Sequence, residues 1–267
     1  MKKYRIIDSH CHIYPDKIAQ KASDATASFY ELPPSLDGRI STLLEHGARA
    51  GIDHFIVQSV ATTPKQVSSI NNFIAASVAE SGGRFTGLGT LHHESENMEA
   101  DVEEIIRLGL RGVKIHPDIQ RVKLDDYRLL RMYELCEGRL PILIHTGDSR
   151  YDYSNPNRMI PILDTYKELT VIGAHFGGWS IWKDAWREYA GRENFYVDCS
   201  SSLYAIDPET AVELIHAYGA DRVLFGTDYP LWTPESEIER FMQLGLTESE
   251  REAILWGNAA RLFGISR

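Results

Sequence analysis

Cysteine, surplus positive charge and long apolar runs are all scarce in this chain. The three cysteines, Cys11, Cys136 and Cys199, form an odd set with no Cys-X-X-Cys pair. That excludes a disulfide framework and suits a reducing, cytoplasmic compartment. Lysine and arginine number 28 against 38 acidic residues, a formal net charge of −10. With no basic surplus to neutralise phosphates, nucleic acid is not an expected partner. No run reaches the roughly 18 apolar residues of a membrane span. The start, Met1-Lys2-Lys3-Tyr4-Arg5-Ile6-Ile7-Asp8, is basic but has no apolar core before Asp8, unlike a signal peptide. A soluble protein acting on a small molecule is expected, with no membrane partner; a homo-oligomer is compatible with this.

What is present is an ordinary globular composition, 43% hydrophobic and 25% charged over 267 residues. Short apolar, β-branched runs recur at Tyr4–Asp8, His54–Val60, Phe85–Leu91, Gly112–His116, Pro141–His145, Thr170–His175, Phe195–Asp198 and Val223–Phe225. Runs apolar on both faces suit parallel strands covered by helices. Helical patterns lie between them. Asp37 precedes one carrying Ile40, Leu43 and Leu44; Asp207-Pro208 opens another; Thr247-X-X-Glu250 reads as a capping box. Eight strand–helix alternations over residues 1–267 predict one domain, a TIM-type (β/α)₈ barrel. An open doubly wound sheet ranks second, because no Gly-rich phosphate turn is present. Pro15 to Pro34 is long for a strand–helix connection, and either a lid or a surface excursion fits it. Trp179, Trp182 and Trp186, spaced by three and four, read as helix packing.

Polar residues fall at the ends of the strand candidates: Asp8-Ser-His10-Cys-His12, Lys114-Ile-His116, His145-Thr-Gly, His175-Phe-Gly-Gly and Gly226-Thr-Asp228. In a barrel these C-terminal ends face one pocket. Side chains two apart on a strand share a face, so His10 and His12 can reach one ion. Neutral imidazoles suit zinc, and Asp228 offers either a charged oxygen ligand or a base beside bound water. A lone histidine at a strand end is more often a satisfied buried group. The weight rests on the joint pattern. His92 and His93, after the third strand candidate, read as structural or rim residues.

At these residues the chain resembles the amidohydrolase superfamily, above all the amidohydrolase-related branch that includes aminocarboxymuconate-semialdehyde decarboxylase. The likeness runs through Ile-Asp-Ser-His-Cys-His, Gly-Val-Lys-Ile-His-Pro, Ile-His-Thr-Gly, Ala-His-Phe-Gly-Gly, Phe-Gly-Thr-Asp-Tyr-Pro and the closing Gly257-Asn258-Ala259-Ala260-Arg261-Leu262-Phe263. It implies metal ligation by His10, His12, His145 and Asp228, with His175 beside the metal-bound water. The implied cofactor is a divalent metal, zinc first, as one ion. Two ions would follow if Lys114 were carbamylated, with His145 and His175 then holding the second.

The barrel is compact for this branch, which turns the expectation toward hydrolysis. An activated water would attack an ester, lactone or amide carbonyl, with Asp228 and His175 as the catalytic groups. Lys114 or His116, helped by Arg150, would hold a substrate carboxylate. The alternative is non-oxidative decarboxylation of a small unsaturated or aromatic acid. A non-catalytic metal barrel is a third reading, disfavoured because structural zinc sites are normally closed by four protein ligands.

Overall fold

The computed structural model describes residues 4–33 and 36–266. Met1, Lys2 and Lys3 at the basic start, and Pro34 of the long connection, lie outside the described residues. Eight parallel strands alternate with helices: β1 (Ile7–His12), β2 (His54–Gln58), β3 in two pieces (Phe85–Gly87 and Gly89–Thr90), β4 (Val113–Ile115), β5 (Ile142–Ile144), β6 (Val171–Gly173), β7 (Phe195–Asp198) and β8 (Val223–Leu224). Each pairs in parallel with the next. Leu88 carries the ladder across the break in β3, where its N–H donates to the Val57 carbonyl at 2.9 Å. The ring closes on β1. Ser9 N–H donates to Phe225 O and Asp228 N–H to His10 O, both at 2.9 Å, and His12 N–H to Tyr229 O at 2.7 Å.

The expected TIM-type barrel is therefore the observed fold, and one strand boundary needs correction. The apolar signal put the first strand at Tyr4–Asp8, whereas β1 runs Ile7–His12. Polar Asp8, Ser9 and His10 carry no hydrophobic signal. They are nevertheless buried, because their side chains and backbone are hydrogen-bonded into the seam with the residues after β8. Asp8 takes the Thr227 N–H at 2.9 Å and its hydroxyl at 2.6 Å. Burial, only partly offset by these bonds, pushes the Asp8 carboxyl up to about 6.

Strand alternation sorts the core into two shells. Ile7, Ile56, Leu88, Leu143, Ile172 and Leu224 pack inside the ring, together with Trp256, Ala259 and Phe263 from the C-terminal helical segment. Phe55, Val57, Val113, Ile115, Ile142, Ile144, Val171, Phe195, Val197 and Val223 face outward into the shell shared with the helices. Lys114, between the outward Val113 and Ile115, thus points inward. The helix caps agree with the sequence. Asp207 accepts the Thr210 N–H at 2.7 Å before the helix Pro208–Tyr218, and Thr247 with Glu250 forms the capping box.

Candidate metal centre

The C-terminal ends of the strands bring buried imidazoles and carboxylates together. His10 and His12 come from β1, and Asp228 from the turn after β8. His10 Nε2 lies 3.2 Å from His12 Nε2 and 3.4 Å from Asp228 Oδ1. His12 Nε2 is 3.6 Å from the same oxygen. His175, just after β6, stacks its ring 5.3 Å from that of His10. Its Nε2 meets His145 Nδ1 at 3.1 Å. Three of the four expected ligands, His10, His12 and Asp228, thus form one direct group. His145 joins them through His175.

Hydrogen-bond partners assign the tautomers of two of these rings. His175 Nδ1 faces the Ser200 carbonyl at 2.9 Å, which can only accept, so Nε2 is bare. His10 Nδ1 donates to Asp198 Oδ2 at 2.8 Å, which leaves its Nε2 bare as well. Burial, reinforced by neighbouring cationic and imidazole groups, lowers the pKa of His12 and His145 well below the usual histidine range. His175 is brought down to about 4, again mainly by burial. Neutral rings with lone pairs turned on one another at such distances are a donor set that fits a divalent cation.

Asp198, the last residue of β7, has no role among the sequence expectations. Burial alone would raise its carboxyl, but the His10 and His175 imidazoles and the Ser200 hydroxyl outweigh that and hold it below the usual carboxylate range. A carboxylate behind a ligating histidine fixes ring orientation and raises ligand basicity. Its only sequence signal is a polar residue closing an apolar run. His145 has a looser counterpart in Asp118, whose Oδ2 lies 3.5 Å from His145 Nε2.

The backbone around the site is strained. His175, Phe176, Ser201 and Asp228 all have positive φ, at 60°, 52°, 43° and 61°. Such non-glycine conformations cost about 1–3 kcal/mol each and collect at functional sites. Gly226 allows the close approach of β1: a Cβ there would sit 2.9 Å from His10 Cβ.

The expected substrate-binding residues separate. Lys114 Nζ reaches His10 Nε2 at 3.3 Å, inside the barrel. Burial lowers its pKa to about 8, with Asp198 and Asp228 opposing that shift. His116 instead turns to Tyr30, whose hydroxyl is 2.5 Å from His116 Nε2 and 3.1 Å from His145 Nδ1. The His116 and His145 rings stack 4.0 Å apart at 7°. With Asp118 these two rings form a second buried group of possible metal ligands beside the first. Arg150 is engaged elsewhere: it grips Asp148 at 3.0 and 2.8 Å and donates to the Phe29 carbonyl at 2.7 Å. The rings of Phe29, Tyr30, Tyr151 and Trp179 surround its guanidinium.

Phe29 and Tyr30 belong to the long connection, which contains the helix Ala19–Phe29. Its described part is thus a cap over the site, and Tyr30 is a site residue that composition alone left hidden. Trp179 is corrected too. It packs on Tyr30 at 4.9 Å, ahead of the helix Trp182–Tyr189 rather than on it. His92 and His93 stack on each other at 4.4 Å, and Glu94 N–H donates to His92 Nδ1 at 3.2 Å, a local arrangement at the rim.

Comparison with known proteins establishes the family and the fold. The Amidohydrolase family model matches residues 7–265. A gamma-resorcylate decarboxylase of Polaromonas sp. is 30% identical over 289 aligned residues, covering 86% of this chain and 88% of the relative. The 2-amino-3-carboxymuconate-6-semialdehyde decarboxylase of Dictyostelium discoideum is 27% identical, over 73% of this chain and 66% of its own. Among solved structures, a TIM-barrel protein from Bordetella bronchiseptica superposes with a TM-score of 0.81 at 24% identity, covering 97% and 98% of the two chains. A dihydroxybenzoic acid decarboxylase from Polaromonas, solved with manganese and 2-nitroresorcinol, gives 0.75 at 20% identity over 99% and 98%.

These relatives overturn the hydrolytic expectation, since the curated proteins that align with the chain are decarboxylases. Compactness was a poor guide because one barrel hosts many reactions, and reaction type lies in the residues of the site rather than in chain length. By the match over residues 7–265, and by the site at its strand ends, the chain is an enzyme of the amidohydrolase family.

Proposed function

We propose that this protein is a metal-dependent, non-oxidative decarboxylase of a small aromatic or unsaturated carboxylic acid. The observation that carries the reading is the 30% identity to a gamma-resorcylate decarboxylase along 86% of the chain. His10, His12, His145 and Asp228 are the residues that would hold a divalent ion. Manganese, the ion of a related structure, and zinc both suit this donor set. The bound ion would supply Lewis acidity toward the substrate's oxygens.

The chain's own residues then have separable tasks. Lys114, the ammonium inside the barrel beside His10, would attract the substrate carboxylate. When carbon dioxide departs, its bonding electron pair stays on the substrate carbon, which must take up one proton. Asp228 and His175 are the groups at hand to hold and deliver that proton. The Ser200 carbonyl keeps His175 Nε2 facing the site. The cap carrying Tyr30, fastened by Arg150, would exclude water while the carbanion-like centre forms.

The test is product analysis with 2,6-dihydroxybenzoate and a panel of related acids. We expect release of one carbon dioxide per substrate consumed, abolished in His10→Ala and Asp228→Asn with the melting profile of the chelator-stripped wild type retained. Consumption without carbon dioxide, or full activity in either variant, would sink the reading.

A further inference from the structure

Gln58 ends β2, and its side chain has no explained role in the fold. Ile56, two residues earlier, packs inside the ring with Ile7 and Leu143. The two-residue period therefore turns Gln58 inward as well, at the end where the site lies. In the β1–β2 register it stands opposite His12. Gln58 is completely buried, yet neither its Oε1 nor its Nε2 has a hydrogen-bond partner.

Further orphaned atoms sit on the same side of the mouth: His93 Nδ1, Asp118 Oδ1 and His145 Nε2, on residues that come after β3, β4 and β5. The group His10, His12 and Asp228 belongs to β1 and the turn after β8, next to Gln58 around the ring. A buried amide with both atoms unpaired destabilises a fold, and an apolar side chain of the same length would avoid that. Its presence is accounted for if a ligand completes it.

We infer that Gln58 is a specificity-determining residue that binds a hydroxyl substituent of the substrate. This rests on the decarboxylase reading of the site and adds the substrate's second recognition element. The chemistry selects a hydroxyl over the carboxylate. Oε1 needs a proton to accept and Nε2–H needs a lone pair, and a hydroxyl carries both, whereas a carboxylate has no proton to give. The carboxylate already has the Lys114 ammonium.

The experiment uses the full-length, manganese-loaded protein with Gln58→Leu and Gln58→Met. Each is melted without ligand and, alongside the wild-type Gln58 and in a His175→Ala background that blocks turnover, titrated calorimetrically with 2,6-dihydroxybenzoate and with benzoate. We expect the melting temperature to hold or rise in both variants. Loss of one or two hydrogen bonds should weaken 2,6-dihydroxybenzoate by about tenfold and leave benzoate within about twofold. A lower melting temperature in both variants would make the amide structural and overturn the inference. Equal weakening of the two acids would overturn it too, since the hydroxyl would then not be what Gln58 reads. Carbon dioxide release by the wild type is scored separately. Its absence would remove the decarboxylase reading, while the melts and the two titrations still decide the role of Gln58.

Discussion

His10 holds Nε2, the nitrogen facing His12 and Asp228, bare because Asp198, 188 residues away, takes the proton side of the ring at 2.8 Å. The same carboxylate accepts the backbone N–H groups of His175 at 3.1 Å and Ser200 at 3.0 Å. One buried aspartate therefore orients the His10 ring directly and anchors the backbone that carries His175 and Ser200. Asp198→Asn keeps the shape but removes the charge, and its amide can present a donor to His10 in place of an acceptor. We expect metal affinity to fall about 10- to 100-fold by chelator competition, as for other carboxylates behind ligating histidines. An affinity within twofold of wild type would show that the ring is held by other means.

At the scale of the element, the most consequential piece is the connection after β1. Its helix Ala19–Phe29 has a modest apolar face, with only Ala19, Ser23 and Ala27 buried. Anchoring falls largely to the C-terminal end of the helix: the Phe29 carbonyl on Arg150, and Tyr30 on His116 and His145. Arg150→Lys keeps the charge beside Asp148 but loses the planar fork that reaches Asp148 and Phe29 together. We expect amide hydrogen exchange across Ala19–Phe29 to speed up at least about tenfold in this variant, with the strands unaffected. Unchanged exchange would mean that Tyr30 alone secures the cap.

Over the whole molecule, the ion's proposed ligands come from the two strand ends where the ring closes, and from beyond β5. Binding should therefore stabilise the closed barrel against opening at its seam. At a free-ion concentration of a hundred times Kd, linkage contributes about 2.7 kcal/mol. For a chain of this length that corresponds to a melting temperature about 5–10 °C higher than in the chelator-stripped protein. Calorimetric melts with and without chelator measure it directly, and coincident transitions would exclude these residues as a high-affinity site. The N-terminal end of the barrel offers no such cluster of metal-ligating groups among the described residues.

Much of this is written locally in the chain. Alternation with a two-residue period marks Val113 and Ile115 as outward and Lys114 as inward, and strand-end position marks His10, His12, His145, His175 and Asp228. Those signals survive in one dimension because strand geometry and parallel order arise from short-range stereochemistry. Closure of the ring decided the rest. Asp198 meets His10, Arg150 turns from a free cation into a clamp, and Tyr30 enters the site only once loops distant in sequence share one end of the barrel. The partner of a buried polar group is whatever the folded ring carries to within about 3 Å of it, and no pattern within a single segment encodes that. Hence barrel and candidate metal ligands are legible in the sequence, while the wall proposed to face the substrate, Gln58 included, comes into view only in three dimensions.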